Sequence, residues 1–477
     1  PYCRRLVLGD LAQLDLAQAL DGARYQVIVA ADVLEHVVHA EPVLEQLKTL
    51  LAPGGVLLVS VPNVAYAGLV AALLEGRFEY RDEGLLDRSH LRFFTRDSLA
   101  ALLACAPSLA AQHFSSDIDR VASKVVEWRR DIHQHPELGN RETRTAALVA
   151  SHLKSLGIET TTGVAHTGVV GVLVGGLPGP VVALRADMDG LPLTERAALP
   201  YASRVRTQYN GAEVGVMHAC GHDTHVAILM GVAEVLAANR ASLPGTVKFI
   251  FQPAEEGPPE GEEGGAKMMT AQGVLDAPKV DAIFGLHIDA FREVGGIGYR
   301  PGGTMASADS FRITVNGKGS HGAYPWAGAD PVLASAHIVT ALQSIVSRNV
   351  DLTEAAAVVT VGSIHGGNRA NIIPEQVEML GTLRALTPAA RELLRTRLVD
   401  VATKVGDSLG TEVKVEVPLG MDYPVTYNDE ALTARMLPSL QVAAGADRVE
   451  LDVAATGAED FSYFAEKVPG LYFTIGG

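Results

Sequence analysis

Met217-His218-Ala219-Cys220-Gly221-His222-Asp223 places one thiol and two imidazoles within five residues. Cys as thiolate and His as neutral imidazole together suit a divalent transition metal: Zn, Mn, Co or Ni. Gly221 permits the sharp backbone that lets Cys220 and His222 converge on one ion. The apolar run over 226–238 reads as a helix, so the cluster sits where a loop gives way to a helix. For this stretch alone the competing reading is a buried structural cysteine beside capping histidines.

Working outward, 246–252 reads as a strand that leads through Pro253 to Glu255-Glu256. A carboxylate at a strand end faces the cleft of an α/β sheet, where ligands bind. One of the pair can hold a metal and the other a water. A solvated acidic loop is the alternative, since Glu260, Glu262 and Glu263 follow. His287 closes the strand-like run Ala282-Ile283-Phe284-Gly285-Leu286, and a lone histidine at a strand end is more often structural. Together, groups at successive strand ends of one domain point to a metal site. Upstream, 169–174 and 181–184 read as strands, and 143–156 as a helix closed by Gly157. A helix capped by Ser116 or Asp117 carries Ile118, Val121, Val125 and Trp128 and ends near His135-Pro136. Strands alternating with helices give an α/β fold class.

A separate unit is expected over 302–418. Phe311-Arg312-Ile313-Thr314-Val315 alternates as an antiparallel strand does. Helices over 331–346 and 388–406 and strands over 358–364, 376–383 and 412–417 complete an α+β sandwich, inserted between catalytic segments 117–301 and 419–477.

The 477 residues allow two to four domains, and an apolar fraction of 48% with 20% charged residues is that of a globular protein. A formal net charge of −16 argues against a nucleic-acid partner. No apolar run approaches the ~20 residues that span a bilayer. Cys3, Cys105 and Cys220 are few and far apart, which fits a reducing cytoplasm rather than a disulfide framework. The chain opens on Pro1 and stops at Gly477 straight after a strand-like run, so both ends read as cut.

Further motifs join the cluster. They are His133-Gln134-His135-Pro136-Glu137-Leu138, Arg185-Ala186-Asp187-Met188-Asp189-Gly190-Leu191-Pro192 and Phe251-Gln252-Pro253-Ala254-Glu255-Glu256-Gly257. Downstream come Gly319-Ser320-His321-Gly322-Ala323, Asn371-Ile372-Ile373-Pro374 and Gly457-Ala458-Glu459-Asp460-Phe461-Ser462. With these motifs, 117–477 resembles the aminoacylase/hippurate hydrolase group of metal-dependent amidohydrolases, which includes auxin-conjugate hydrolases and N-acetyl-diaminopimelate deacetylases. The resemblance implies a mixed-sheet metallopeptidase catalytic domain with an inserted dimerisation domain. It implies two divalent ions per subunit, held by Cys220, His222, Glu256 and His287, with Glu255 as general base. It implies that His321 reaches into the site of a second copy in a homodimer. Asn371 and Arg384 are expected to clamp the free carboxylate of an N-acyl amino acid. Asp187, Asp189, His218 and Asp460 are expected to support the ligands from behind, a fold role being the alternative. The group's further ligand histidine lies beyond Gly477, and an impaired metal-binding protein is therefore a second expectation.

Residues 1–112 read differently. Ala31-Asp32-Val33-Leu34-Glu35-His36, Leu51-Ala52-Pro53-Gly54-Gly55 and Arg88-Ser89-His90-Leu91-Arg92-Phe93-Phe94 resemble the C-terminal half of a class I S-adenosylmethionine-dependent methyltransferase. That family's glycine-rich cofactor turn is not found here. A partial Rossmann-like fragment is therefore expected, with a fused methyltransferase as the alternative function.

Overall fold

The computed structural model describes residues 14, 16–20, 22–37, 40–62, 114–353, 356–420 and 422–477. Cys3, Cys105 and the methyltransferase-like motif at 88–94 lie outside them. The chain divides into two units, Pro1–Phe114 and Ser115–Gly477.

In the first unit, strand β1 (Tyr25–Ala31) pairs in parallel with β2 (Leu51–Ser60), and helix α1 (Ala40–Thr49) lies between them in sequence. Leu34, Ala40, Val43, Leu44 and Leu47 form its core. The sequence predicts that Pro53-Gly54-Gly55 stops the helix and precedes the strand. Instead β2 already begins at Leu51, and these residues form an irregularity inside it. Tyr25 pairs with Leu51 and Val27 with Val56, so the extra residues loop out of the ladder.

The second unit opens with helices α2 (Ser115–Gln134) and α3 (Thr143–Ser155), then strands β3 (Glu159–Val164), β4 (Gly168–Val174) and β5 (Leu177–Asp187). Helix α4 (His222–Ala238), β6 (Pro244–Gln252), β7 (Ala282–Asp289) and β8 (Ile297–Tyr299) follow. After an insertion the chain returns and adds two last strands to the same sheet. Strand β6 is buried on both sides, and its side chains divide by period two. Phe249 and Phe251 meet α3 and α4 through Leu153, Val226 and Met230, while Ile250 faces Ala183, Met269 and Phe461.

The insertion contains β9 (Ala308–Asn316), α5 (Pro331–Asn349), β10 (Ala357–Gly366), β11 (Gln376–Ala385), α6 (Pro388–Ser408) and β12 (Glu412–Glu416). Its strands form a separate antiparallel sheet in the order β10-β11-β9-β12. Alternation in β9 sends Phe311, Ile313 and Val315 against Ile338, Leu342, Leu394 and Leu398 of the two helices. Asp330 and Thr387 cap those helices, accepting from Val332 N and Ala390 N respectively. Helix α7 (Glu430–Ala444), β13 (Val449–Leu451) and β14 (Gly470–Gly476) then complete the main sheet. Its order is β13-β8-β14-β7-β5-β6-β4-β3, with β5, β6, β7 and β14 running parallel, β4 antiparallel to β6, and β3 antiparallel to β4. The sheet is mixed, as the sequence implies. Among the described residues no helix is long and apolar enough to cross a membrane.

Candidate metal centre

Three chain reversals at one end of the main sheet bring the predicted groups together. Helix α4 begins at His222, four residues earlier than its apolar periodicity predicts, because Gly221 precedes it at φ 95°. A β-carbon there would also clash with Ile288 Cγ2. Gly221→Ala is therefore expected to cost about 1–3 kcal/mol, the range for enforced backbone strain, and to lower metal affinity. Denaturant unfolding and metal titration check this, and a variant equal to wild type in both contradicts it. At the end of β6, Ala254 turns the chain at φ 51° and delivers Glu255 and Glu256. His287 stands near the end of β7, opposite Thr474 of β14.

Cys220 Sγ lies 3.2 Å from His287 Nε2. His222 Nε2 lies 3.8 Å from Glu255 Oε2 and 4.0 Å from Glu256 Oε1. Two sets result, Cys220/His222/His287 and His222/Glu255/Glu256, each with its ligand atoms within 4.8 Å of one another. His222 belongs to both. Its Nε2 is buried and has no hydrogen-bond partner. An orphaned imidazole nitrogen costs free energy unless something accepts its lone pair. A thiol, two imidazoles and two carboxylates around that atom fit a pair of divalent ions. Two further groupings, Asp187/His222/His225 and Glu255/Glu459/Asp460, are equally close. Their carboxylates are already committed, however. Arg185 binds Asp187, Glu459 and Asp460 at 2.7, 2.8 and 3.0 Å, and His225 Nδ1 binds Asp187 at 2.6 Å.

Buried neighbours aim the candidate ligands. Asp189 accepts from both Glu255 N and Glu256 N at 3.0 Å and lies 3.3 Å from His222 Nδ1. Glu142 accepts from Ala254 N at 2.8 Å and from the Thr167 hydroxyl. Tyr423 OH donates to Glu255 O at 2.8 Å. Asp460 accepts from Gln252 Nε2 and Ala266 N. Burial works against charge on His222, but Asp187, Asp189 and Cys220 outweigh it and hold its proton affinity well above the usual range. At His287 burial is likewise outweighed by the hydrogen bond to Cys220, raising it to about 9. Surroundings that retain protons on two imidazoles also favour a divalent cation. Glu255 is pushed well above the carboxylate range by burial and by the charges of Glu459 and Asp460. Burial also raises Glu142, to about 8.

Cys220, His222, Glu255, Glu256 and His287 thus gather at one place, with Asp187, Asp189 and Asp460 behind them. His218 is buried, with neither ring nitrogen hydrogen-bonded, and burial lowers it to about 4. It lines a cavity of about 680 Å³ beside Cys220 and His287, with Arg129, His133, Leu199 and Phe291. His321, Asn371 and Arg384 do not line that cavity. His321 is exposed on the insertion, where the short strand Ser320–His321 pairs with Ile372–Ile373 and Gly322 N donates to Asn371 O. Arg384 lies on β11 and spends Nη1 on Thr382 and Leu383 O. Sequence reasoning overlooked Glu142, Arg185, His225 and Glu459. Arg185 and Glu459 stood inside quoted motifs, but nothing in one-dimensional spacing signals their burial.

A model of peptidase family M20/M25/M40 matches residues 183–477, and a methyltransferase-domain model matches residues 9–106. Thermostable carboxypeptidase 2 of Saccharolobus solfataricus is 38% identical over 366 residues, covering 76% of this chain and 88% of the relative. N-acetyl-L-cysteine deacetylase of Bacillus subtilis is 36% identical over 364 residues, covering 76% and 82%. A crystal structure of a dinuclear metal binding peptidase of the M20 family from Bacillus subtilis superposes with a TM-score of 0.63 at 34% identity. It covers 75% of this chain and 89% of that one.

Proposed function

The chain belongs to peptidase family M20/M25/M40, and on that premise we propose a metal-dependent amidohydrolase that cleaves the amide bond of N-acyl amino acids. The observation that carries this is the buried, unpartnered Nε2 of His222 between the Cys220–His287 pair and the two glutamates. The named deacetylase relative supports the substrate class.

Cys220, His222, Glu256 and His287 would hold two divalent ions. Such ions polarise an amide carbonyl and acidify water. Glu255 then acts on the proton. Its carboxylate takes one from the attacking water and delivers it to the leaving nitrogen as the carbon–nitrogen bond breaks. The Asp189 contacts to the two backbone N–H groups fix where both glutamates point. Tyr423 fixes the Glu255 carbonyl from the insertion side.

His321, in the ladder with Ile372, and the adjoining Asn371 are both exposed and leave the cavity of their own chain untouched, which suits work in the site of a second copy. The insertion's sheet offers β10 as an edge strand for pairing. A homodimer through the insertion follows, with His321 a donor for the developing oxyanion and Asn371 and Arg384 holding the substrate carboxylate. Sedimentation equilibrium that finds only monomer contradicts this assembly. A reducing cytoplasm suits the Cys220 thiol.

Loaded with Zn, Mn, Co or Ni, the chain is expected to hydrolyse N-acetyl amino acids. Dialysis against a chelator is expected to abolish turnover, and added metal to restore it. Unchanged hydrolysis by a chain shown metal-free by elemental analysis overturns the reading.

A further inference from the structure

Three hydrogen bonds link Asp187, His225, the backbone of Ile288 and His287 behind the candidate centre. Nδ1 of His225 is 2.6 Å from Asp187 Oδ1, and its Nε2 accepts from Ile288 N at 2.9 Å. The carbonyl of the same Ile288 accepts from His287 Nδ1 at 2.6 Å. Because an N–H fills Nε2 of His225, the ring's own proton sits on Nδ1 and faces Asp187. Because a carbonyl fills Nδ1 of His287, only Nε2 of that ring can be offered to an ion. His225 is buried and its ring centroid lies 4.7 Å from that of His287. It stands in the first turn of α4, one turn on from His222, so one helix end carries both a candidate ligand and the prop of another.

We propose that His225 is a positioning residue: by receiving the Ile288 N–H it anchors the backbone of residue 288, whose carbonyl, in the following peptide unit, orients His287 toward Cys220 and the ion. This rests on the metal reading above. Asp187 acts at the far end, holding His225 in the one tautomer able to accept from Ile288. The dependence on a single acceptor atom gives a direct test, because two amide side chains divide its functions. A glutamine carbonyl reaches the place of Nε2 and can still accept from Ile288 N. An asparagine amide reaches only the place of Nδ1 and can serve Asp187 alone.

The experiment is titration of wild type, His225→Gln and His225→Asn with Co(II). Affinity is measured by chelator competition and ligation by the thiolate-to-metal absorption band, with circular dichroism confirming a folded chain. His225→Asn is expected to lose 10–100-fold in affinity, the usual effect of removing an orienting partner. His225→Gln is expected to stay within about threefold of wild type. His225→Asn binding Co(II) as tightly as wild type overturns the proposal. So does a His225→Gln loss as large as that of His225→Asn, which would make the ring a packing element only. A wild-type chain that binds no Co(II) overturns the metal reading itself, and the proposal with it.

Discussion

Glu255→Gln is expected to lower kcat by about 10²–10⁴-fold while leaving the bound metal unchanged. The substitution is close to isosteric. The backbone N–H to Asp189 and the carbonyl bonded to Tyr423 are main-chain groups and survive it. None of Cys220, His222, Glu256 or His287 is altered. What disappears is the carboxylate's ability to take a proton from water and return it to nitrogen. The loss should fall on kcat with little change in KM, the signature of an interaction made only in the transition state. Steady-state kinetics with N-acetyl amino acids, paired with elemental analysis, decide it. Full activity removes Glu255 from the role of base. Lost activity together with lost metal makes it a ligand instead.

The second large effect lies in Arg185→Met, expected to destabilise the second unit by about 3–5 kcal/mol. Arg185 is 3% exposed and stands on the central strand β5. Its guanidinium meets Asp187, Glu459, Asp460 and the Gln252 carbonyl, each within 3.0 Å. The nearby acidic charges more than offset its own burial and hold its proton well above the usual range. Removing it strands three buried carboxylates beside Glu255. Breaking a buried pair in this way costs far more than the pair contributes, because the uncompensated charge remains. Urea unfolding monitored on the second-unit transition should show the shift, and bound divalent metal should reduce it by neutralising part of the charge. A midpoint within error of wild type contradicts this account of the network.

Much of this was legible in the sequence because it is carried by local pattern. The helices and strands of the insertion follow periodicity and caps, and Asp330 and Thr387 sit where a capping residue is expected. The metal cluster was legible because Cys220, His222, Glu255, Glu256 and His287 are chemically distinctive and stand at element ends. Pro53-Gly54-Gly55 misled because a helix-breaking sequence is also a bulge sequence, and only the pairing with β1 decides between them. Glu142 and His225 were invisible for another reason. Their importance lies in contacts to Ala254 N and to Ile288 N, across 112 and 63 residues of chain. No spacing rule reaches that far. His321 stood out in sequence, yet its separation from its own chain's cavity emerges only from the fold.

The central claim is that Cys220, His222, Glu256 and His287 hold the metal. Anomalous diffraction at the absorption edge of the bound ion, on crystals of the metal-loaded protein, tests it most directly. Peaks are expected about 2.0–2.3 Å from Cys220 Sγ, His222 Nε2, His287 Nε2 and a Glu256 carboxylate oxygen. Peaks seated instead on Asp187 and His225, or on Glu459 and Asp460, would contradict it.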